Sequence, residues 1–309
     1  MIIPARDEVS AIGRVVRAVL AQAGPGIDVE VLVVDDGSRD GTAEAARQAG
    51  ARVLELESLG GGGNPAAARN RGAAAANGDP IVFLDADCVP AAGWLAAILE
   101  AHGRGEAVVG GLLDLPPGLA ATARCDYYCG WYLIHPRRPA GPVPHHPPPN
   151  LSVRRDLFLC TSGFTEEQPF SYTNEERAWQ AELRRAGHRI WFEPRARVLS
   201  FNRPGFVAML RRNYRWAYTA LASKGETGSA RFAWLWRHPR LLIAASGPLA
   251  VAHTAFIVGC WLRAGSAEPL LLLPAIFATR LAYAAGLAVG GVQWLRRRRS
   301  GAAWSPRWS

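Results

Sequence analysis

Two acidic groups in this sequence have residue types and spacings suited to chemistry. Asp85 and Asp87 flank Ala86 directly after the apolar run Ile81 to Leu84. Side chains two residues apart on an extended segment point to the same side. Two carboxylates placed in this way form a hard oxygen site for Mg²⁺ or Mn²⁺, which phosphates and water can complete. We predict a divalent metal site at Asp85 and Asp87; a solvated surface turn is the alternative.

The second acidic group also follows a buried apolar run. Residues 29–34 lead into Asp35, Asp36, Gly37 and Ser38. Glycine permits a turn with positive φ, and carboxylates at a strand end can accept hydrogen bonds from the base or ribose of a nucleotide. The alternative is a simple strand-to-helix turn, in which Asp40 or Thr42 caps the helix.

The two acidic groups can act together only if the strands before them end at the same edge of one sheet. Strand and helix patterns alternate along the first part of the chain. The predicted strands are Val29–Val34, Ala51–Leu56 and Pro80–Leu84, the predicted helices are Gly41–Ala49 and Pro65–Ala76, and Gly60–Gly63 is a predicted flexible loop. Such alternation is typical of a parallel sheet with crossover helices, which binds ligands at the carboxyl ends of its strands.

The middle of the chain has shorter patterns. We predict a helix over 120–134, an irregular loop over the Pro- and His-rich residues 135–149, strands over 151–154 and 189–192, and a helix over 175–186. His145 and His146 in that loop lack a spaced third ligand. We therefore expect them to contact an acceptor and not a metal.

Two long apolar runs lie near the end of the chain. Leu241–Leu262 and Pro269–Leu295 are each long enough to cross a hydrocarbon core of about 30 Å, which takes roughly 20 residues. Arginines before the first run, and Arg296–Arg299 after the second, place both ends in the cytoplasm. Two buried helices of a soluble domain are the alternative. Arg280, inside the second run, would extend to the lipid interface, pair with a lipid phosphate or face a partner helix.

The charge of the chain is divided between its ends. Residues 1–100 carry fourteen acidic and eight basic side chains, whereas residues 203–309 carry two acidic and fifteen basic ones, within a formal net charge of +9. The basic end predicts an anionic partner. Because its arginines flank apolar runs, we expect anionic membrane lipids and no nucleic acid.

Two other classes of protein are disfavoured. The five cysteines include no Cys-x-x-Cys pair, which argues against a zinc ribbon and a disulfide framework and favours a reducing cytoplasm. No Gly-x-Gly-x-x-Gly follows the first strand, which argues against a dinucleotide-dependent oxidoreductase.

Four short motifs, in order and spacing, resemble the nucleotide-sugar half of the family-two inverting glycosyltransferases. They are Ile3-Pro4-Ala5-Arg6-Asp7-Glu8, the stretch VVDDGSRDGT, Ala68-Arg69-Asn70-Arg71-Gly72 and the stretch FLDADC. The resemblance continues through 150–155, 163–164, 175–176 and 186–190. It implies a GT-A fold of the α/β class, with a mixed, mostly parallel sheet and flanking helices.

The resemblance also implies residue roles. The nucleotide-sugar would be bound by Pro4, Ala5, Arg6, Glu8, Asp35, Asp36, Gly37, Ser38, Arg69, Asp85 and Ala86, and the metal by Asp85 and Asp87. The family usually has Glu-Asp where this chain has Glu175 and Glu176, and the second residue is its general base. Glu176 would then take the proton of an acceptor hydroxyl that attacks with inversion. The alternative is favourable charge in the first turn of a helix.

The chain departs from the family pattern in two further places. Some relatives have a metal-binding His after the strand that follows the acidic helix, but the place near Ser200 has none, so we expect fewer protein ligands. Residues 212–216 resemble the Gln-x-x-Arg-Trp motif of processive members, which implies acceptor or diphosphate contacts for Arg212, Arg215 and Trp216. An amphipathic helix at the membrane surface is the alternative that we favour.

The predicted organisation follows from these patterns. It comprises a GT-A catalytic domain over 1–202, with a nucleotide-sugar half over 1–110 and an acceptor half over 111–202; a basic amphipathic interfacial segment over 203–240; two transmembrane helices within 241–295; and a basic cytoplasmic tail over 296–309. The predicted activity is metal-dependent transfer of a sugar from a nucleotide-diphosphate donor to an acceptor hydroxyl, and a lipid or lipid-linked molecule is the candidate acceptor. A membrane scaffold that binds a nucleotide-sugar without catalysis is the alternative.

Overall fold

The structure is a computed structural model that describes residues 1–56, 63–167, 174–201, 205–221, 224 and 233–300. It divides into two compact units. The first comprises Met1–Pro116, Pro136–Glu166 and Ala178–Asn202, and the second comprises Pro117–His135, Glu167–Arg177 and Arg203–Ser309. Residues 60–62 of the predicted flexible loop and the predicted tail beyond residue 300 lie outside the described residues.

The first unit is built on a sheet that has nine strands in the described part of the chain. The strands are β1 Ile2–Ala5, β2 Leu32–Asp35, β3 Arg52–Glu55, β4 Ile81–Leu84, β5 Cys88–Pro90, β6 Val108–Asp114, β7 Gly141–Val143, β8 Asn150–Val153 and β9 Ile190–Ser200. Their order is β3-β2-β1-β4-β8-β6-β9-β5, with β7 also paired to β9. The first four strands in this order are parallel, whereas β8 is antiparallel to β4 and β6.

Helices flank this sheet and complete the predicted α/β architecture. They are α1 Val9–Leu20, α2 Thr42–Gln48, α3 Pro65–Ala75, α4 Trp94–Gly103, α6 Arg155–Leu159 and α7 Glu176–Arg185, the last of which begins in the second unit. In α1, the four residues Ile12, Val15, Val16 and Val19 are buried. Their spacing is that of a single apolar stripe on a helix, which therefore packs on the sheet.

Helix α3 lies unusually close to the sheet because the residues on its inner face are small. A Cβ atom on Gly72 would lie 2.4 Å from Cγ2 of Ile2 and 3.0 Å from Cγ2 of Val34. Only glycine leaves room for this approach. The same helix carries Arg69, so the packing of Gly72 against β1 fixes the position of that arginine.

The Pro- and His-rich stretch over 135–149 is more ordered than expected. It contains β7, whose residues Gly141, Pro142 and Val143 pair antiparallel with β9, so the prediction of a wholly irregular loop is wrong. Proline removes one ladder hydrogen bond but is tolerated on short edge strands. The pattern of Pro residues therefore did not reveal the strand.

The second unit consists of helices in its described residues. They are α5 Ala121–Gly130, α8 Phe206–Tyr218, α9 Ala233–Trp236, α10 Pro239–Ala244, α11 Ser246–Arg263, α12 Glu268–Leu271 and α13 Leu273–Ser300. Helix α8 packs backbone to backbone on α13, because Cβ atoms on Gly286 and Gly290 would lie 2.1 Å from the carbonyl oxygen of Tyr214 and 2.2 Å from that of Tyr218. Such small residues are what allow two helices to approach this closely.

The first apolar run is not one continuous helix. Helix α10 ends at Ala244 and α11 begins at Ser246, with Ala245 between them. Pro248 has no N–H with which to bond to Ala244, which favours a break at this point. The run predicted to hold the first transmembrane helix is therefore divided between two helices, α10 and α11.

The second apolar run does form a long helix. Within the described residues, the segment Leu273–Arg296 of α13 is long and apolar enough to cross a membrane. Arg280 in this helix is 4% exposed, and one Nη atom donates to Oδ1 of Asn213 in α8. Of the three alternatives for Arg280, facing a partner helix is the one that the structure confirms.

Candidate functional site

In the first unit, the carboxyl ends of β1, β2 and β4 bring most of the predicted site residues to one edge of the sheet. Pro4 and Ala5 end β1, and Ala5 is in register with Asp35 at the end of β2. Ala86, 5% exposed, is the second residue after the end of β4. The parallel order of these strands explains how segments far apart in the sequence reach a common edge.

The turn after β2 is held by its own side chains. Oδ1 of Asp35 accepts hydrogen bonds from the backbone N of Ser38 at 2.9 Å and from its Oγ at 2.6 Å. Oγ of Ser38 accepts a third bond from the backbone N of Asp7 at 3.0 Å, and Gly37 has a φ of 74°. Asp35, Gly37 and Ser38 thus shape the turn that presents the next residues.

Asp36 and Arg6 form the part of the edge best suited to a nucleotide. The backbone N of Asp36 donates to the carbonyl of Ala5 at 3.0 Å, and its Oδ2 accepts from the backbone N of Asn64. The pKa of Asp36 is raised overall because burial outweighs that backbone bond and the charge of Arg6, which both act to lower it. Among the described residues, Nη1 of Arg6 is buried without a hydrogen-bond partner, which leaves a donor for a ligand.

A glycine makes this arrangement possible. A Cβ atom on Gly63 would lie 2.4 Å from Oδ2 of Asp36 and 3.0 Å from Nη1 of Arg6. Any larger residue would displace one of these two groups.

The first carboxylate of the Asp-Ala-Asp motif is held by an arginine from α3. Nη2 of Arg69 donates to Oδ1 of Asp85 at 2.7 Å. The side chain of Arg69 is 6% exposed and that of Asp85 is 32% exposed. The carboxylate is therefore both accessible and held in a fixed orientation by a charge-assisted hydrogen bond.

The second carboxylate of the motif has an unfavourable electrostatic environment. Burial, followed by the charge of Asp85 and then that of Glu8, raises the pKa of Asp87 to about 6. Burial and the charges of Asp40 and Asp85 also raise the pKa of Glu8. The surplus of negative charge at this edge is what a divalent cation would offset.

The residues present therefore fit a metal held by few protein groups. No set of three or more His, Cys, Asp or Glu side chains in the described residues is arranged as a metal site. Asp85 and Asp87 would supply two carboxylates, and phosphate oxygens and water would complete the shell, as is common for Mg²⁺.

The remaining predicted residues lie in the second unit. Glu175 and Glu176 are 7% and 4% exposed, and Glu176 begins α7. Arg212 forms an ion pair with Asp126 of α5, and its guanidinium carbon lies 5.4 Å from the centre of the Trp216 ring.

Arg215, in the same helix, is exposed. The apolar face of α8 is largely covered by protein, since Met209 and Ala217 are 0% exposed. Phe206 and Val207 at the start of α8 are exposed. Contact of this helix with a membrane surface stays a prediction.

Asn70 has a role that the sequence did not predict, and His146 has a role different from the predicted one. Nδ2 of Asn70 donates to the carbonyl of Phe164 at 2.8 Å, and Oδ1 of Asn70 accepts a hydrogen bond from the backbone N of Phe164 at 2.9 Å. Its place within the third motif was the only signal of this role. His146 is fully buried, with Nε2 2.8 Å from the carbonyl of Gly111, so the expected acceptor contact by His146 is wrong. The neighbouring Gly110 leaves space for the imidazole ring.

Comparison with other sequences identifies the family of the chain. Residues 1–160 match the model of glycosyl transferase family 2. Glycosyltransferase AglE of Haloferax volcanii is 36% identical over 165 residues, which are 51% of this chain and 52% of AglE. The chain thus spans about half the length of that relative. The pre-mycofactocin glycosyltransferase of Mycobacterium tuberculosis is 28% identical over 347 aligned positions, covering 96% of this chain and 72% of that protein.

Comparison with solved structures confirms the predicted GT-A fold. Mannosyltransferase PcManGT from Pyrobaculum calidifontis, solved with GDP-Man and Mn²⁺, has a TM-score of 0.60 and 19% identity over 94% of this chain and 86% of its own. Glucosyl-3-phosphoglycerate synthase from Mycobacterium tuberculosis, solved with Mn²⁺, UDP and phosphoglyceric acid, has a TM-score of 0.52 and 20% identity over 75% of this chain and 78% of its own.

Proposed function

Because the chain belongs to glycosyl transferase family 2, we propose that it transfers a sugar from a nucleotide-diphosphate donor to an acceptor hydroxyl with inversion at the anomeric carbon. The single observation that carries the proposal is the edge formed by Asp36, Arg69, Asp85 and Asp87. At this edge Arg69 orients the accessible carboxylate of Asp85. Beside it lies Asp87, whose pKa is raised to about 6. Arg6 adds a buried donor for the nucleotide.

We assign the donor site to the first unit. Asp36 and Arg6 would bind the base and ribose side of the nucleotide, within the turn that Asp35, Gly37 and Ser38 shape, and Pro4, Ala5, Glu8 and Ala86 would line the pocket. Asp85 and Asp87 would hold Mg²⁺ or Mn²⁺. When bound, this ion would offset the negative charge that develops on the leaving diphosphate. Arg69 keeps Asp85 oriented through the bond described above.

We assign acceptor activation to Glu176. It is the first residue of α7 and is 4% exposed. An ionised carboxylate can take the proton of an acceptor hydroxyl as the hydroxyl attacks. Glu175 would support the orientation of its neighbour. Contacts of Arg212, Arg215 and Trp216 with acceptor or diphosphate remain part of the proposal.

We also propose that α13 anchors the chain in the cytoplasmic membrane. Its apolar segment has the required length. Helix α11, with 18 residues, is near the lower limit for a span and would be the return helix of a multi-pass hairpin. Anionic lipids would then meet the flanking arginines, and the acceptor would be a lipid or a lipid-linked molecule.

The proposal is tested with the full chain purified in detergent. The protein is incubated with labelled UDP- and GDP-sugars in MnCl₂ or EDTA, and both bound donor and released nucleotide are measured. We expect donor turnover only with metal, and a loss of about 100-fold or more in Asp87→Asn. Asp28→Asn, an exposed position in the same unit, is the matched control and should be unaffected.

The outcomes separate the two predicted functions. Turnover that requires metal and Asp87 supports the transferase. Metal-dependent donor binding without turnover supports the scaffold. Failure to bind any nucleotide-sugar would rule out both.

A further inference from the structure

Two basic side chains of the second unit contact one tyrosine, and the charge of a third acts on the same place. Nζ of Lys224 donates to the hydroxyl of Tyr283 at 2.8 Å and lies 5.4 Å from the centre of its ring. The guanidinium carbon of Arg280 lies 5.4 Å from the same ring centre. Burial lowers the pKa of Lys224, and the charges of Arg177 and Arg280 lower it further. We call these three residues, with Tyr283, the cationic cluster.

The known partners of the three cations are neutral. Arg280 donates to Asn213 and to Oγ1 of Thr279, the latter at 3.4 Å. Nε of Arg177 donates to Oδ1 of Asn174 at 2.7 Å. In the described part of the chain, no carboxylate forms an ion pair with any of the three. Arg280 is 4% exposed, and a positive charge that is buried without a counter-ion is costly. This points to an anion that comes from outside the chain.

The surroundings of the cluster suit a polar anion. The hydroxyl of Tyr132 lies 3.0 Å from Nε2 of His253, and the rings of His253 and Tyr283 are 6.3 Å apart. Burial raises the pKa of Tyr132 to about 12, although the charge of Arg280 lowers it, so its hydroxyl keeps its proton at neutral pH. The cluster therefore combines three cations with two phenol groups. Several donors and three positive charges match an anion with more than one negative charge and several oxygens.

We propose that the cationic cluster binds a phosphate or diphosphate group, and that the acceptor of the transfer carries this group. The assignment to the acceptor rests on the proposed function, whereas the anion site does not. Arg177 directly follows Glu176, the proposed base. Arg177 would therefore bind the phosphate of the acceptor one residue away from Glu176, the carboxylate that would activate the acceptor hydroxyl.

The group has two possible sources, a lipid phosphate and a water-soluble phosphate. Arg280 and Tyr283 belong to the helix whose apolar segment could cross a membrane, and both sources present the same phosphate oxygens to them. The experiment must separate the two sources.

Binding is measured on the full chain in detergent with EDTA, so that no metal can recruit anions to Asp85 and Asp87. The probes are inorganic phosphate, pyrophosphate, decyl phosphate and decanol. Calorimetry gives the affinity. Tryptophan fluorescence gives a second signal, because Nζ of Lys224 lies 5.1 Å from the centre of the Trp236 ring. We expect the three phosphates to bind and decanol not to bind. Tighter binding of decyl phosphate than of phosphate identifies a lipid source, and equal binding identifies a water-soluble one.

Variants locate the site. Lys224→Gln and Arg280→Gln should each weaken phosphate binding about tenfold, and Arg280→Lys should weaken it less. Arg263→Gln removes the same charge from an exposed position at the end of α11 and should have no effect. Circular dichroism checks the fold, and Lys224→Gln serves if Arg280→Gln does not fold. Absence of phosphate binding in the unaltered protein, or equal weakening in Arg263→Gln, overturns the proposal.

The test also distinguishes this inference from the proposed function. Asp87→Asn should lose sugar transfer and keep phosphate binding. Transfer that persists in a protein unable to bind any of the phosphates would overturn the cluster assignment alone.

Discussion

Nη2 of Arg69, from helix α3, donates a hydrogen bond to Oδ1 of Asp85 over 2.7 Å. The cation is buried and the carboxylate is accessible. A ligand bound at Asp85 thus meets a carboxylate whose orientation is set by a residue behind it. Arg69 is in this sense a positioning residue as well as a candidate contact for the nucleotide.

Arg69→Lys should lower kcat/KM for the donor about tenfold, and Arg69→Ala should lower it more. Lysine keeps the charge but lacks the planar fork that fixes a carboxylate. Steady-state kinetics on both variants measure the effect. Arg52→Lys is the matched control, since Arg52 pairs with Glu30 through an exposed side chain. Equal kcat/KM values for Arg69→Lys and the unaltered protein would contradict the assignment.

Metal affinity should depend on pH through Asp87, whose pKa is raised to about 6. The folded protein binds this proton more tightly than the unfolded chain, so ionisation of Asp87 destabilises the metal-free fold. That penalty is absent below the ordinary pKa of 3.8 and fully present above about 6. A metal must displace the proton, so its affinity should rise with pH up to about 6 and then level off.

Thermal unfolding with and without MnCl₂, at several pH values from about 5 to about 8, checks this dependence. The metal-induced rise in Tm should be small at the acid end and constant above about pH 7. In Asp87→Asn the metal effect should be lost at every pH. A metal-induced rise that is the same throughout the range would refute the role of Asp87.

Glu176→Gln should lower kcat by about 10² to 10⁴ while leaving the donor KM nearly unchanged, because a general base acts in the transition state. Glu176→Asp should retain part of the activity. Glu182→Gln, in the same helix, is the control, since Glu182 bonds to Ser162. A rise in KM alone would indicate a binding role for Glu176 instead.

Gly72→Ala should destabilise the protein by about 1–3 kcal/mol, because the new Cβ atom would overlap Ile2. Chemical denaturation measures the free energy of unfolding. Gly78→Ala is matched in chemistry, and a Cβ atom there meets nothing within 4 Å. Equal stability of the two variants would show that α3 does not depend on close packing against β1.

The sequence predicted the parts of the fold in which local pattern and position agree. Strands β2 and β4 are buried throughout, and each ends in an acidic turn, so both the strand and its functional end were readable. Strand β7 could not be predicted from the sequence, because its three residues include Gly141 and Pro142. Its pairing with β9 also joins residues that are distant in the sequence.

The candidate sites also include residues that local sequence predicted and residues that it did not. Asp85, Asp87 and Asp36 were predicted from motif and strand end. The cationic cluster was not predicted, because Arg177, Lys224 and Arg280 are separated by long stretches of sequence and meet only through the packing of the second unit. Arg280 alone had a signal, a charge inside an apolar run.

The close packing of Gly286 and Gly290 on the backbone of α8 predicts the effect of truncating the protein to remove its apolar C-terminal helix. Cutting the chain ahead of Leu273 would remove the helix that packs on α8, uncover Ala217, and remove two members of the cationic cluster. A shortened form would lack the longest helix described in the second unit, so activity should be sought in the intact chain.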